Sequence, residues 1–170
     1  SMLSLIYSLT LEDIYQSDSV LIARDSGDKN SLSQISGLAS IAGIGIPSSS
    51  NSLTEVNEII SSREFTKHLL TFDNILPSIM AAESYNENTG KIVFRADYYD
   101  HKDKIWIRKV SAGKESKPSY LEAHRVFMTL LKSDEDNTTG ILNLSIEHIS
   151  PVFAKELLQL VISEVNTLLR

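Results

Sequence analysis

Histidine is the side chain best suited to acid–base or metal chemistry near neutral pH, and the chain has four of them among its 170 residues. His68, His101, His124 and His148 are each isolated in sequence, and none belongs to an HxxxH or HExxH pattern. The chain has no cysteine that could complete a zinc site or form a disulfide. We therefore interpret the four histidines as ordinary surface or edge residues and predict no metal site.

The hydroxyl and carboxyl side chains also lack a catalytic arrangement. No GxSxG sequence is present, and the many serines fall in predicted loops and helix caps, where their hydroxyls bond to local backbone. The acidic run Asp134, Glu135 and Asp136 falls in a predicted turn, with no apolar pocket to raise a pKa. A glycosidase needs two carboxylates at a set separation, and nothing in the sequence points to such a pair. We predict no catalytic residue.

The glycine-containing segment 37–47 (GLASIAGIGIP) is the stretch to compare with a phosphate-binding loop. It has neither the GxGxxG spacing nor a lysine, so close packing of small residues is the better interpretation. We predict no cofactor-binding residue and no cofactor.

The net charge of −6 argues against a nucleic-acid partner. Acidic and basic residues are scattered along the chain rather than blocked, whereas binding to phosphate backbones needs a clustered basic surface. The length fits a single domain, alone or with a small appendage, and allows a substantial core.

The two ends of the sequence indicate a piece of a longer protein. No stretch approaches the roughly 20 apolar residues of a membrane span, and the apolar start 2–9 is either the end of such a span or a first strand. Ser1 resembles the residue left after removal of an expression tag. The helical pattern of the last segment continues to Arg170 without a stop signal. We expect an excised soluble piece without its flanking membrane segments.

Three helices are predicted. The first covers 53–72 and ends before Pro77, because the residue before a proline avoids the helical conformation. The second covers 119–127, with Ser119 as its N-cap. The third covers 150–170, with Ser150 as N-cap and Pro151 in the first turn. Its apolar residues recur at steps of three or four: Phe153, Leu157, Val161, Val165 and Leu168.

Apolar alternation and compact apolar runs predict strands at 14–23, 92–94, 105–107, 128–132 and 141–146. The last two are predicted to pair across the acidic turn 134–140. The sequence therefore predicts an α+β fold, with a small mixed or antiparallel sheet packed by helices, in a single domain over residues 1–170.

Tyr98, Tyr99 and Trp106 allow two interpretations. They could form an aromatic strip that stacks on sugar rings. The alternative, which we favour, is that the lone tryptophan anchors a small hairpin against the domain, with polar tips reaching water.

Several segments, taken in order, resemble the Wzz-type chain-length determinants, which are polysaccharide co-polymerases of the bacterial inner membrane. The most specific part is 139–151 (TGILNLSIEHISP) together with the helix that follows it. Supporting segments are 37–43 (GLASIAG), 61–65 (SSREF), 98–106 (YYDHKDKIW) and 118–123 (PSYLEA). The resemblance extends over most of the chain, from Ile14 to Arg170.

The resemblance implies a membrane-proximal α+β domain in the periplasm, from an inner-membrane protein whose membrane segments are absent here. It implies a ring-like homo-oligomer with no enzymatic activity. Such a scaffold sets the chain length of O-antigen, the polysaccharide of lipopolysaccharide, or of a related surface polysaccharide. Its partners would be further copies of itself, a separate polysaccharide polymerase and the growing glycan.

Three alternatives stay open. One is the related Wzz-like periplasmic domain of a tyrosine autokinase for capsule or exopolysaccharide export, which a cytoplasmic nucleotide-binding domain and a tyrosine-rich tail would identify. Another is a periplasmic glycan-acting enzyme, which needs a cleft that holds two carboxylates in perturbed environments. The third is an α+β interaction module with another partner.

Overall fold

A computed structural model describes residues 13–22, 52–136 and 141–168. The helices in these ranges are α1 Ser52–Ser61, α2 Arg63–Leu69, α3 Ile75–Met80, α4 Tyr120–Leu130 and α5 Pro151–Leu168. The strands are β1 Tyr15–Ile22, β2 Ala82–Asn86, β3 Lys91–Phe94, β4 Tyr99–Asp100, β5 Ile105–Trp106, β6 Leu131–Asp136 and β7 Ile141–His148. Small antiparallel sheets packed by helices confirm the predicted α+β class.

The main sheet has three antiparallel strands in the order β1–β7–β6. Along β7, Leu142, Leu144 and Ile146 are buried, and the residues between them lie on the outer face, as the alternating sequence predicts. Leu21 of β1 pairs with Leu142, and Leu131 of β6 pairs with Ile146. The register therefore places apolar side chains from all three strands on one face.

The helices cover that apolar face. α5 lies against β1 and β7, α1 contacts α5 and β6, and α4 contacts α2 and α3. Their apolar side chains share one core with the main sheet, which includes Val56, Ile60, Phe65, Leu69, Ile79, Phe127, Leu157, Val161 and Val165. The buried face of α5 consists of the apolar residues predicted for it, except Leu168, which is 56% exposed. The buried stripe therefore ends one turn earlier than predicted.

The predicted helix 53–72 is wrong in one respect, because it is two helices. Ser62 lies between α1 and α2 in an extended conformation, and its hydroxyl accepts the backbone N–H of Phe65 at 3.1 Å. Serine competes for backbone hydrogen bonds in this way and so begins a new helix. Ile60 and Phe65 are buried on either side of the break, and the apolar pattern therefore does not reveal it.

Pro77 does not end an element, contrary to the prediction. It occupies the first turn of α3, where a backbone N–H has no partner within the helix and proline is tolerated. The chain turns earlier, at Asn74, which has a left-handed φ of 65°.

The boundary between α4 and β6 also differs from the prediction. α4 continues to Leu130, and β6 begins at Leu131. The hairpin of β6 with β7 is confirmed, but the acidic residues from 134 to 136 lie in β6 rather than in a turn. An edge strand accommodates such charges because one of its sides faces water.

Two smaller antiparallel pairs, β2–β3 and β4–β5, contain the strands predicted at 92–94 and 105–107. β2 has the sequence AESYN, which lacks apolar alternation, and the sequence did not predict it. The start 2–9, the loop 24–33, the segment 37–47, the turn residues 137–140 and Arg170 lie outside the described residues. Among the helices of the described ranges, none is both long and apolar enough to cross a bilayer.

Candidate functional site

The four histidines make different contacts in the fold. In the loop after β4, His101 stacks its ring on Phe94, with 4.9 Å between centroids. In α2, His68 Nε2 lies 2.6 Å from Oε2 of Glu164. Within the described ranges, no group of three or more histidine or acidic side chains is arranged to hold a metal ion.

Thr66 and His124 form a pair that the sequence did not predict. Thr66 Oγ1 lies 2.9 Å from His124 Nδ1 and 3.4 Å from the carbonyl oxygen of Ser62. A hydroxyl beside an imidazole is the arrangement of an activated nucleophile. Thr66 is only 1% exposed, however, so a substrate has no access to its hydroxyl. The pair ties α2 to α4.

Glu122 is kept ionised by a buried arginine. Arg108 Nη1 and Nη2 donate to its two carboxylate oxygens at 2.8 and 3.0 Å, and the backbone N–H and hydroxyl of Ser119 both donate to Oε2. These bonds, chiefly that from Arg108, lower the pKa of Glu122 to about 2. The acid of a glycosidase needs a raised pKa instead. Glu122 therefore serves the capping box at the start of α4 and fastens the preceding segment to it.

His148 is buried, which corrects the prediction of a surface or edge residue. It is 6% exposed, its Nδ1 accepts the backbone N–H of Ser150 at 3.0 Å, and its Nε2 lies 3.0 Å from the carbonyl oxygen of Ser78. Both bonds form together in the neutral tautomer with its proton on Nε2. Burial lowers the pKa of His148. Extending the alternation of β7 by two residues beyond Ile146 would have placed His148 on the buried face.

The contacts of His148 fix the point at which β7 ends and α5 begins. The hydroxyl of Ser150 accepts the N–H of Phe153 at 3.2 Å, which is the cap that the sequence predicts. The Phe153 ring lies edge-on to the His148 ring, with 4.6 Å between centroids. We call His148, Ser150, Phe153 and the carbonyl group of Ser78 the helix junction. It joins β7, α3 and α5 at one buried point and sets the direction in which α5 leaves the sheet.

Further contacts hold α5 along its length. Leu157, Val161 and Val165 are at most 2% exposed in the shared core. Glu164, which precedes Val165 in α5, forms a hydrogen bond with His68 of α2. α5 is therefore fixed to β1 and β7 of the main sheet and to α1 and α2.

The outer face of the main sheet has an open groove of about 350 Å³. Polar side chains from all three strands lie side by side along this groove and carry amide, hydroxyl, carboxylate and ammonium groups. They are Gln16, Asp18, Lys132, Asp134, Asn143 and Ser145. We call this surface the sheet groove. Its groups donate and accept hydrogen bonds, as binding of sugar hydroxyls requires. The carboxylates of Asp18 and Asp134 are exposed to water, so the groove lacks the dry environment of a glycosidase acid.

The aromatic residues support the anchoring interpretation of Trp106. Its ring lies 4.9 Å from that of Tyr99, which is its partner in the β4–β5 register and is 5% exposed. Phe94 lies edge-on to Tyr99 at 5.6 Å and stacks on His101. Because these rings cover one another, Tyr99 and Trp106 do not form an open strip for sugar stacking, and the Tyr98 ring is covered by the guanidinium of Arg95 at 4.0 Å.

Comparison of the chain with protein-family models and with curated proteins finds no match.

Proposed function

We propose that this chain is the membrane-proximal periplasmic domain of a Wzz-type chain-length determinant. In this proposal, the whole protein is a non-enzymatic oligomeric scaffold of the bacterial inner membrane. It sets the length of O-antigen or a related surface polysaccharide that a separate polymerase makes. The observation that carries the proposal is the helix junction, because it is formed largely by the stretch 139–151, where the resemblance is most specific, and by the helix that follows.

The geometry of the helix junction supports a scaffold. Buried polar groups whose hydrogen bonds are all satisfied favour one arrangement over others. The bonds of His148 and Ser150 would therefore give α5 the same direction in every copy. A ring of identical copies would present repeated weak contacts, and multivalency would supply strength that no single contact needs.

We assign the growing glycan to the sheet groove. Asn143 and Ser145 lie on the central strand, and Asp18 and Asp134 lie on the strands on either side. An open, wet groove of this kind forms hydrogen bonds in exchange for bonds to water, so each contact contributes little. Weak binding suits a regulator that must let a polymer advance and leave.

The first experiment is deletion of the full-length gene in its host, with the surface polysaccharide separated on a gel. We expect loss of the preferred length band while polymer is still made. Complete loss of exported polymer would instead favour the tyrosine autokinase, and an unchanged pattern would contradict both.

Complementation then tests the helix junction. Full-length protein with Pro151→Gly, which loosens the first turn of α5, should restore polymer but shift its length distribution. Glu156→Gln, at an exposed position of α5, is the matched control and should restore the original pattern. Two outcomes would contradict the scaffold mechanism. One is an unchanged length distribution when the helix junction of the variant is demonstrably misfolded, and the other is loss of all polymer when the variant is folded.

A further inference from the structure

Residues 91–117 carry a net charge opposite in sign to that of the rest of the chain. They include eight of the 16 basic residues and four of the 22 acidic residues, which gives +4 in this segment and −10 elsewhere. The basic residues form no continuous run, so the asymmetry emerges only when the whole segment is counted. Arg108 is paired with Glu122 outside the segment, which leaves +3, so the segment is suited to an anionic partner although the chain as a whole is acidic.

The β4–β5 hairpin exposes two large apolar side chains within this segment. Ile105 is 54% exposed and Ile107 is 48% exposed. Exposure alternates from β5 into the residues after it, so Ile105 and Ile107 lie on one face and Trp106 and the buried Arg108 on the other. The alternation continues to Lys109, which is exposed. Apolar and cationic groups therefore lie next to each other on the outer face.

The hairpin has a defined shape that holds these groups in place. Asp100 Oδ1 accepts the backbone N–H groups of Lys102 and Asp103 at 2.9 and 3.2 Å. Lys104 closes the loop with a left-handed φ of 55°. The ion pair of Arg108 with Glu122 then fastens the base of the hairpin to α4. Lys102, Asp103 and Lys104 are all exposed at the tip, so two ammonium groups outnumber one carboxylate there.

We propose that this outer face, formed by Lys102, Lys104, Ile105, Ile107 and Lys109, docks on the surface of an anionic lipid bilayer. The ammonium groups would pair with acidic headgroups, and the isoleucines would enter the boundary between headgroups and acyl chains. This inference goes beyond the proposed function and does not depend on it.

A bilayer fits this face better than a nucleic acid does. Nucleic acids bind through phosphate contacts and through stacking of bases on open aromatic rings. Here the rings of Phe94 and His101 stack on each other, and Trp106 lies against Tyr99. Burial of the exposed isoleucines, in contrast, is favourable where an apolar environment is present.

Vesicle sedimentation with the whole chain tests the proposal. We expect binding to vesicles of phosphatidylcholine mixed with phosphatidylglycerol, weakened by salt, and little binding to phosphatidylcholine alone. Trp106 is the only tryptophan, so its emission reports on the hairpin itself. Lys102→Glu combined with Lys104→Glu should lower partitioning by roughly tenfold or more. Ile105→Ser combined with Ile107→Ser should also reduce it.

Two exposed residues of α5 provide matched controls. Val152→Ser removes a 46% exposed apolar side chain, and Lys155→Glu reverses an exposed charge, so neither should change binding. Circular dichroism checks that every variant is folded. Equal binding to both lipid compositions, no binding to either, an equal loss in the controls, or tighter binding to duplex DNA would each overturn the proposal. None of these outcomes would alter the polysaccharide gel.

Discussion

His148 shows how a titratable side chain is buried in this fold with a hydrogen-bond partner for each ring nitrogen. An unsatisfied buried polar group costs about 1–3 kcal/mol. The carbonyl of Ser78 and the N–H of Ser150 satisfy both ring nitrogens, so this cost is avoided. A proton added to Nδ1 would remove the acceptor for Ser150, and burial disfavours the charged ring as well. The residue is thus suited to hold the helix junction in one arrangement.

Glu122→Gln should lower the free energy of unfolding at neutral pH by about 2 kcal/mol. The substitution leaves the guanidinium of Arg108, which is 8% exposed, without its counter-charge. In the wild type, the pKa of Glu122 is about 2 in the fold against an ordinary 4.5. Between pH 2 and pH 4.5 the unfolded chain binds more protons at this position than the folded chain does. The stabilisation by the ion pair is therefore complete above pH 4.5 and is lost as the pH falls towards 2. Water around the 32% exposed carboxylate keeps the effect below the full value of the shift.

Urea unfolding at several pH values between neutral and the lowered pKa measures this effect. The free energy of unfolding falls as the pH is lowered, and the Glu122→Gln variant should lack the part of this fall that protonation of Glu122 causes. Glu156→Gln, at an exposed position of α5, should keep the wild-type pH dependence. Identical pH profiles for wild type and Glu122→Gln would contradict the role of the ion pair.

α1 and α2 show that the periodicity of apolar residues does not always predict where a helix ends. Both helices direct apolar residues into the same core, so the pattern runs through Ser62 without interruption. Between them, the backbone of Ser62 is extended and its hydroxyl accepts the N–H of Phe65. A helix interior and a helix cap place the same residue type in different backbone conformations.

Ser62→Ala should therefore destabilise the fold by about 1 kcal/mol. The N–H of Phe65 would lose its acceptor, and that loss exceeds the better helix propensity of alanine. Ser163→Ala, at an exposed interior position of α5, is the control and should be neutral or slightly stabilising. Chemical denaturation compares the two variants. A stabilised Ser62→Ala protein would indicate that one continuous helix is preferred after all.

The elements that the sequence predicts well are those determined by neighbouring residues. The caps at Ser119 and Ser150 and the alternation of β7 are local patterns, and the structure confirms them. The acidic strand β6 depends instead on hydrogen bonds supplied by β7. The sheet groove depends on the register of three strands, one of which, β1, is distant in sequence from the other two, so no local pattern predicts it.

At the scale of the whole molecule, the proposed scaffold requires that α5 and the main sheet behave as one rigid unit. β7 is paired on both sides, and α5 shares its core through Leu157, Val161 and Val165. The β4–β5 pair, in contrast, has two residues in each strand. Short exposed pairs open locally at small free-energy cost, whereas a shared core opens only when the whole domain unfolds.

Native-state hydrogen exchange can test this requirement directly. The amides of β7 and of the buried face of α5 should exchange at the slow rate set by global unfolding and should respond equally to added denaturant. The β4–β5 amides should exchange much faster and serve as the internal comparison. If the α5 amides exchanged through an opening that leaves β7 protected, the main sheet would not hold α5 at a fixed angle. The scaffold mechanism would then lose its physical basis even if deletion of the gene changed polysaccharide length.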